Sequence, residues 1–227
     1  GKTDVFDIEK HLIDPSGNCF YDSVVKAFAI IRPDINLTIK KLRYSVQKKI
    51  ASNPDKEIAI INCIISDFEN ATEDQKLSKS LPGGYKGKFA EILSKKFKEY
   101  IEAGATEGAL EKVRKFLTDH SSKVSNSYLE MILQDQVWAR SIEIQNLEEL
   151  LKIRIIRVPD QKDTYSGEII EVDLTKTGEQ TANLYIPLLS DDRDSHFNLL
   201  NPTEFCKFKG VSIDAYTLPD SAIIETG

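Results

Sequence analysis

Cys19 follows a short polar loop, Asp14-Pro15-Ser16-Gly17-Asn18, and precedes a run in which Phe20, Val24, Ala27, Phe28 and Ile31 fall at helical spacing. A thiol at such a loop-to-helix junction is placed for chemistry. The N–H groups and dipole of a helix N-terminus favour the thiolate, the nucleophilic form of cysteine. Gly17 lets backbone amides approach a developing oxyanion, as acyl transfer requires. The rival reading is a small core residue, since free cysteine is among the most buried types.

A thiol nucleophile needs a base, and His196 is placed to be one. It opens the apolar run His196 to Leu200, directly after the polar loop Ser190-Asp191-Asp192-Arg193-Asp194-Ser195. Two residues on, Asn198 points to the same side of an extended strand. Its side-chain carbonyl can accept one imidazole N–H, leaving the other ring nitrogen to take the thiol proton. A satisfied loop histidine is the alternative. His11, ahead of the Cys19 loop, and His120, at the end of a charged helix, read as bystanders. Cys63 reads as helix core and Cys206 as the edge of a C-terminal segment, neither with a base at a motif position.

Elements from both ends of the chain must bring these residues together. The helix from Phe20 ends at Pro33. A second carries Ile39, Leu42, Val46 and Ile50 on one stripe and stops at Asn53-Pro54. Residues 56–127 read as almost entirely helical: apolar Ile58 to Phe68, the Leu81-Pro82-Gly83-Gly84 break, then Phe89 to Ile101 and Leu110 to Leu117. Helices over about Tyr128 to Val137 and Ile142 to Leu151 follow. Strand patterns come next, at Ile153 to Val158, Glu168 to Leu174, Leu184 to Leu189 and His196 to Leu200. The expected fold class is α+β (mixed α/β). One domain, residues 1–227, holds a β-sheet flanked by helices, with a helical subdomain inserted at about 56–127.

Composition excludes several roles. The 227 residues suit one domain with a large insertion. A net charge of -6 argues against a nucleic-acid partner, which needs a basic face. No apolar stretch approaches the roughly 20 residues that cross a bilayer, so no membrane insertion is expected. The opening Gly1-Lys2-Thr3-Asp4 reads as no secretion leader. Three widely spaced cysteines argue against a disulfide framework and for a reducing compartment. They never cluster with the histidines at ligand spacing, so a zinc site is not expected.

Three segments together resemble one family. Asp14-Pro15-Ser16-Gly17-Asn18-Cys19-Phe20-Tyr21 resembles the Asp-Gly-Asn-Cys-Phe nucleophile motif of the ovarian-tumour (OTU) deubiquitinases. Trp138-Ala139-Arg140-Ser141-Ile142-Glu143-Ile144-Gln145-Asn146-Leu147, with the strand from Ile153 to Val158, resembles that family's Trp-Gly-Gly-x-x-Glu-Leu-x-x-Leu helix and following strand. Ser195-His196-Phe197-Asn198-Leu199-Leu200 resembles its His-Tyr-Asn strand, and all three occur in the family's order. The helical stretch 56–127 lies outside the resemblance and is similar to the lobe of the bacterial-effector branch, notably the Legionella OTU-like enzymes.

The resemblance implies a papain-like core and a cysteine isopeptidase that cleaves ubiquitin from lysine side chains or from polyubiquitin. Cys19 would be the nucleophile, His196 the base and later the acid, and Asn198 the residue orienting the ring. Backbone amides of Ser16, Gly17, Asn18 and Cys19 would form the oxyanion hole, and the resemblance implies no metal or organic cofactor. Two departures stand out. Ser16 occupies the place of the family's Asp, with Asp14 as a possible loop acid, and Ala139-Arg140 replaces Gly-Gly. The ubiquitin tail carries arginines and ends in two glycines, so Asp191, Asp192, Asp194 and Glu143 are expected along an acidic path. Trp138 and Phe197 are further candidates, with Trp138 favoured as packing. The lobe at 56–127 is expected to contact ubiquitin, or else to be a stabilising elaboration. The implied setting is the cytosol, for an effector that of the host cell. Rival functions are an inactive ubiquitin-binding module of the same fold and a papain-like hydrolase for a ubiquitin-like modifier.

Overall fold

The computed structural model describes residues 10–159, 183–190, 196–220 and 222–224. The chain forms two compact units, one of residues 1–45 with 144–227 and the other of residues 46–143.

In the first unit, β1 (Lys10–His11) leads through the polar loop into α1 (Cys19–Ile31). The helical spacing of Phe20, Val24, Ala27, Phe28 and Ile31 is the buried face of α1. It ends before Arg32-Pro33, where the residue preceding a proline is driven out of helical geometry. α2 (Ile39–Ser52) starts in this unit and buries Leu42, Val46 and Ile50 on one stripe. From α8 (Ser141–Leu151) the chain enters β2 (Arg154–Pro159), and β3 (Tyr185–Ser190), β4 (Phe197–Leu200) and α9 (Pro202–Phe208) follow. The sheet order is β1-β4-β3-β2, with β2 and β3 parallel and the other two pairs antiparallel. α1 lies against β4 and β3, and α9 against β3 and α1. Ile156, Val158, Leu189, Leu200 and Phe205 share one apolar cluster. This small sheet flanked by helices is the mixed α+β architecture expected.

The second unit is helical throughout its described length: α3 (Lys56–Glu69), α4 (Glu73–Ser78), α5 (Gly87–Glu102), α6 (Glu107–Asp119) and α7 (Ser121–Met131). Its core repeats one device, an apolar residue every turn. Phe89, Leu93, Phe97 and Tyr100 line α5, and Ala109, Val113 and Leu117 line α6. Phe68 of α3 meets Phe97 edge-on, with ring centroids 5.2 Å apart.

Several boundaries differ from the sequence reading. The helix expected over Tyr128 to Val137 instead runs from Ser121 to Met131, and the chain then turns, with Gln136 in the left-handed region at φ 68. α4 was not anticipated. Nothing on it is buried, and a Thr72–Gln75 capping box organises its start. α9, begun by Asn201 as cap and Pro202 at its first turn, also went unread. The strand expected at Glu168 to Leu174 lies outside the described residues.

Candidate active site

The structure holds Cys19 at the first position of α1, with little of its surface exposed at 6%. The helix could have been capped by Asn18, but no side-chain cap forms. Asn18 Oδ1 instead accepts from Arg43 Nη2 at 2.6 Å, and the guanidinium lies 4.5 Å from the centre of the Tyr21 ring. Arg43 is buried within the apolar stripe of α2, next to Leu42. It braces the loop and first turn that carry the thiol, a role the motif reading missed. Its signal was a lone arginine amid helical core spacing.

Ser16 organises the loop. Its hydroxyl accepts the Asn18 N–H at 3.2 Å, and its carbonyl accepts the Cys19 N–H at 3.2 Å. Asp14 is exposed, and the side-chain oxygen used by the loop is that of Ser16. Two of the four amides expected to receive an oxyanion, those of Asn18 and Cys19, thus point at Ser16 here. Both contacts are long for N–H···O bonds, the kind a stronger, charged acceptor displaces.

His196 precedes β4 and is half-buried. Its Nε2 lies 3.2 Å from Asn198 Oδ1, the pairing anticipated from strand periodicity. Nδ1 is buried and has no hydrogen-bond partner among the described residues. The histidine strand and the cysteine helix meet: α1 packs on β4, and Phe20, next after Cys19, sits edge-on to Phe197, next after His196, at 6.2 Å. The helix that starts at Cys19 and the strand that follows His196 therefore touch, although they come from opposite ends of the chain.

Other candidates fall elsewhere. Phe197, proposed to touch substrate, is only 4% exposed and spends its ring on Phe20. Glu143, proposed to line an acidic path, is fully buried in the helical unit, where Tyr128 Oη donates to it at 2.8 Å. Burial pushes its carboxyl up to about 7, against the pull of Arg140 and the Tyr128 hydrogen bond. Asp191, Asp192 and Asp194 lie outside the described residues. Trp138 is 37% exposed and packs against Gly83 and Gly84. At Gly84 the backbone is left-handed, and a Cβ there would sit 2.7 Å from that of Trp138, so only glycine fits.

The Arg140 that departs from the family motif has a structural task. Its Nε donates to Asp67 at 2.9 Å, its two terminal nitrogens to the carbonyls of Trp138 and Gly83, and its plane lies 3.6 Å from the Tyr85 ring centre. Tyr85 Oη donates to the same Asp67 oxygen at 2.6 Å. The other thiols are inert by surroundings. Burial pushes Cys63 up to about 12, with Glu143 and Asp67 adding to it, and burial also raises Cys206, whose Sγ lies 3.2 Å from the Tyr185 carbonyl. Among the described residues no group of three or more His, Cys, Asp or Glu could hold a metal, and no helix is long and apolar enough to cross a membrane.

The viral OTU domain protease from Farallon virus is similar in structure at 15% identity, covering 86% of this chain and 83% of that one, with a TM-score of 0.36. No curated protein matches the chain. The profile of OTU-like cysteine proteases matches residues 14–193, from the Cys19 loop to just short of His196. With most of its length under that profile, the chain belongs to the OTU-like cysteine protease family.

Proposed function

We propose that this cysteine protease is a deubiquitinase, cleaving ubiquitin from lysine side chains or polyubiquitin. The observation that carries the catalytic part is the His196–Asn198 contact, which leaves Nδ1 buried and without a partner among the described residues, just ahead of the strand on which the Cys19 helix packs. Nδ1 takes the thiol proton, and Sγ attacks the carbonyl carbon of the ubiquitin C-terminal glycine. The imidazolium then protonates the departing lysine amine. Water hydrolyses the thioester by the same proton path in reverse, freeing ubiquitin and the thiol. An acyl oxyanion is a stronger acceptor than the Ser16 oxygens and draws the amides of Asn18 and Cys19 toward itself. Membership of the OTU-like family supports ubiquitin as the substrate.

The helical unit supplies a ubiquitin contact in this reading. Ile58, Leu77 and Ile92 are exposed on it, and an apolar hollow between α5, α6 and α7 is bordered by Ile92, Phe116 and Val124. Such a lobe suits a bacterial effector acting in the host cytosol.

Ubiquitin bearing a C-terminal electrophile tests the proposal. A covalent adduct is expected, absent in Cys19→Ala. Binding without an adduct would point to an inactive ubiquitin-binding module, and an adduct only with a ubiquitin-like modifier would point to a different substrate.

A further inference from the structure

Asn198 Oδ1 has a second partner besides His196. It accepts the backbone N–H of Ile13 at 2.9 Å. A backbone amide nitrogen can only donate, so the asparagine must turn its oxygen, not its NH2, toward Ile13. That oxygen carries no proton to give, so the imidazole nitrogen beside it must supply one. Neutral His196 is thereby the Nε2–H tautomer with its lone pair on Nδ1, the buried nitrogen that lacks a partner among the described residues.

We infer that the main-chain amide of Ile13 is a positioning group: by fixing the orientation of the Asn198 side chain it selects which nitrogen of His196 is basic. Without this amide, Asn198 could flip its NH2 toward Nε2, and the ring would be equally satisfied with its proton on Nδ1, where it cannot accept one from a thiol. With it, the flipped state sets two donors against each other.

The fold holds Ile13 in place from several sides. β1 pairs with β4 in the register Lys10↔Leu200 and His11↔Leu199, which carries the chain alongside Asn198 as the ladder ends. The Ile13 side chain is buried, and the Leu12 carbonyl accepts from Lys26 Nζ of α1 at 3.2 Å. The selection of the tautomer stands on these contacts alone; its importance for turnover rests on the reading of Cys19 and His196 as nucleophile and base.

Ile13→Pro deletes the N–H, and a chain with an ester in place of the amide at Ile13 deletes it without changing shape or φ. The ester chain is assembled from a 1–18 thioester joined at Cys19 and refolded beside an all-amide chain made the same way. Long-range proton–nitrogen NMR of His196 should show Nε2–H alone in the amide chain and a substantial Nδ1–H population in the ester. Alkylation of Cys19 by iodoacetamide at pH 7, followed by mass spectrometry, should slow by roughly tenfold, the worth of one lost hydrogen bond. In an Asn198→Asp background the residue has two oxygens and nothing to flip, so the ester should cost less than twofold. An unchanged tautomer in the ester chain would overturn the inference, as would an equal tenfold loss in the Asn198→Asp background. Neither readout uses ubiquitin, so the expected tautomer and alkylation pattern without a ubiquitin adduct would sink the substrate alone.

Discussion

The groups around His196 and those inside the helical unit are held by opposite means. In the unit that carries Cys19 and His196, the chain of contacts from Ile13 through Asn198 to His196 uses neutral groups. In the helical unit, Arg140, Asp67 and Glu143 share the interior with Tyr85, Tyr128 and Cys63. A neutral amide can orient an imidazole without pinning its charge, as a proton carrier requires. Buried charges behave differently: each is tolerable only while its partner stays, so they hold one loop arrangement firmly and do so at a cost in desolvation. In the proposed reaction the first region has to let a proton move, while the second keeps its parts from moving.

The largest effect separating the two should come from the site. His196→Ala is expected to lower kcat/KM on a fluorogenic ubiquitin substrate by roughly a thousandfold or more, and Asn198→Ala by about ten- to a hundredfold. Neither should change unfolding by urea as much as the changes in the helical unit. Equal losses from both substitutions would reverse the assignment of base and orienting residue.

Next in size is Arg140→Met. It leaves Asp67 with Tyr85 but no cation and releases the carbonyls of Trp138 and Gly83, and about 3 kcal/mol of stability should go with it in urea unfolding. Arg140→Lys keeps the charge but cannot fork to three acceptors, so it should recover less than half of that.

Glu143 gives the helical unit a pH dependence. Folded, its carboxyl keeps its proton to about pH 7; unfolded, it loses it near its ordinary 4.5. The native state therefore binds more protons between those values. The stability this group contributes is whole below about pH 4.5 and is lost as pH rises through about 7, a fall of about 3 kcal/mol. The groups facing it are Arg140, Tyr128 and Cys63, and the two hydroxyl and thiol neighbours are themselves pushed upward by burial. Glu143→Gln should remove the fall, seen as equal urea midpoints at pH 5 and pH 8 where the parent differs. A parent with no such difference would mean that the carboxyl is ionised and paid for by Arg140.

Ser16→Ala should have the smallest effect, roughly fivefold or less on kcat/KM, because one local N–H···O bond is lost. Ser16→Asp, which returns an acceptor, should restore activity if holding the Asn18 amide is what Ser16 does.

The site was legible in the sequence where it depends on local spacing. The helical run after Cys19 and the two-residue step from His196 to Asn198 both survive as geometry. The same step could have removed Phe197 from the substrate candidates, since a strand turns alternate residues to opposite sides. Glu143 was beyond reach, because a carboxylate among Arg140, Ser141 and Gln145 has the local look of a surface, and only α3 and α7 packing around it make an interior. β1 is two residues long and has no period to read, and the part played by Ile13 belongs to its main-chain N–H, which every residue type but proline shares. α4 escaped for the opposite reason. It buries nothing, so its only sign was the polar Thr72–Gln75 pair.

Trp138 is the chain's single tryptophan, seated on the glycines of one helical-unit loop. Its emission is consequently a built-in optical label for that unit, undiluted by any second indole. Loss of the Gly83–Gly84 seat should register in its colour and intensity, while chemistry at Cys19 is followed on its own channel in the same sample.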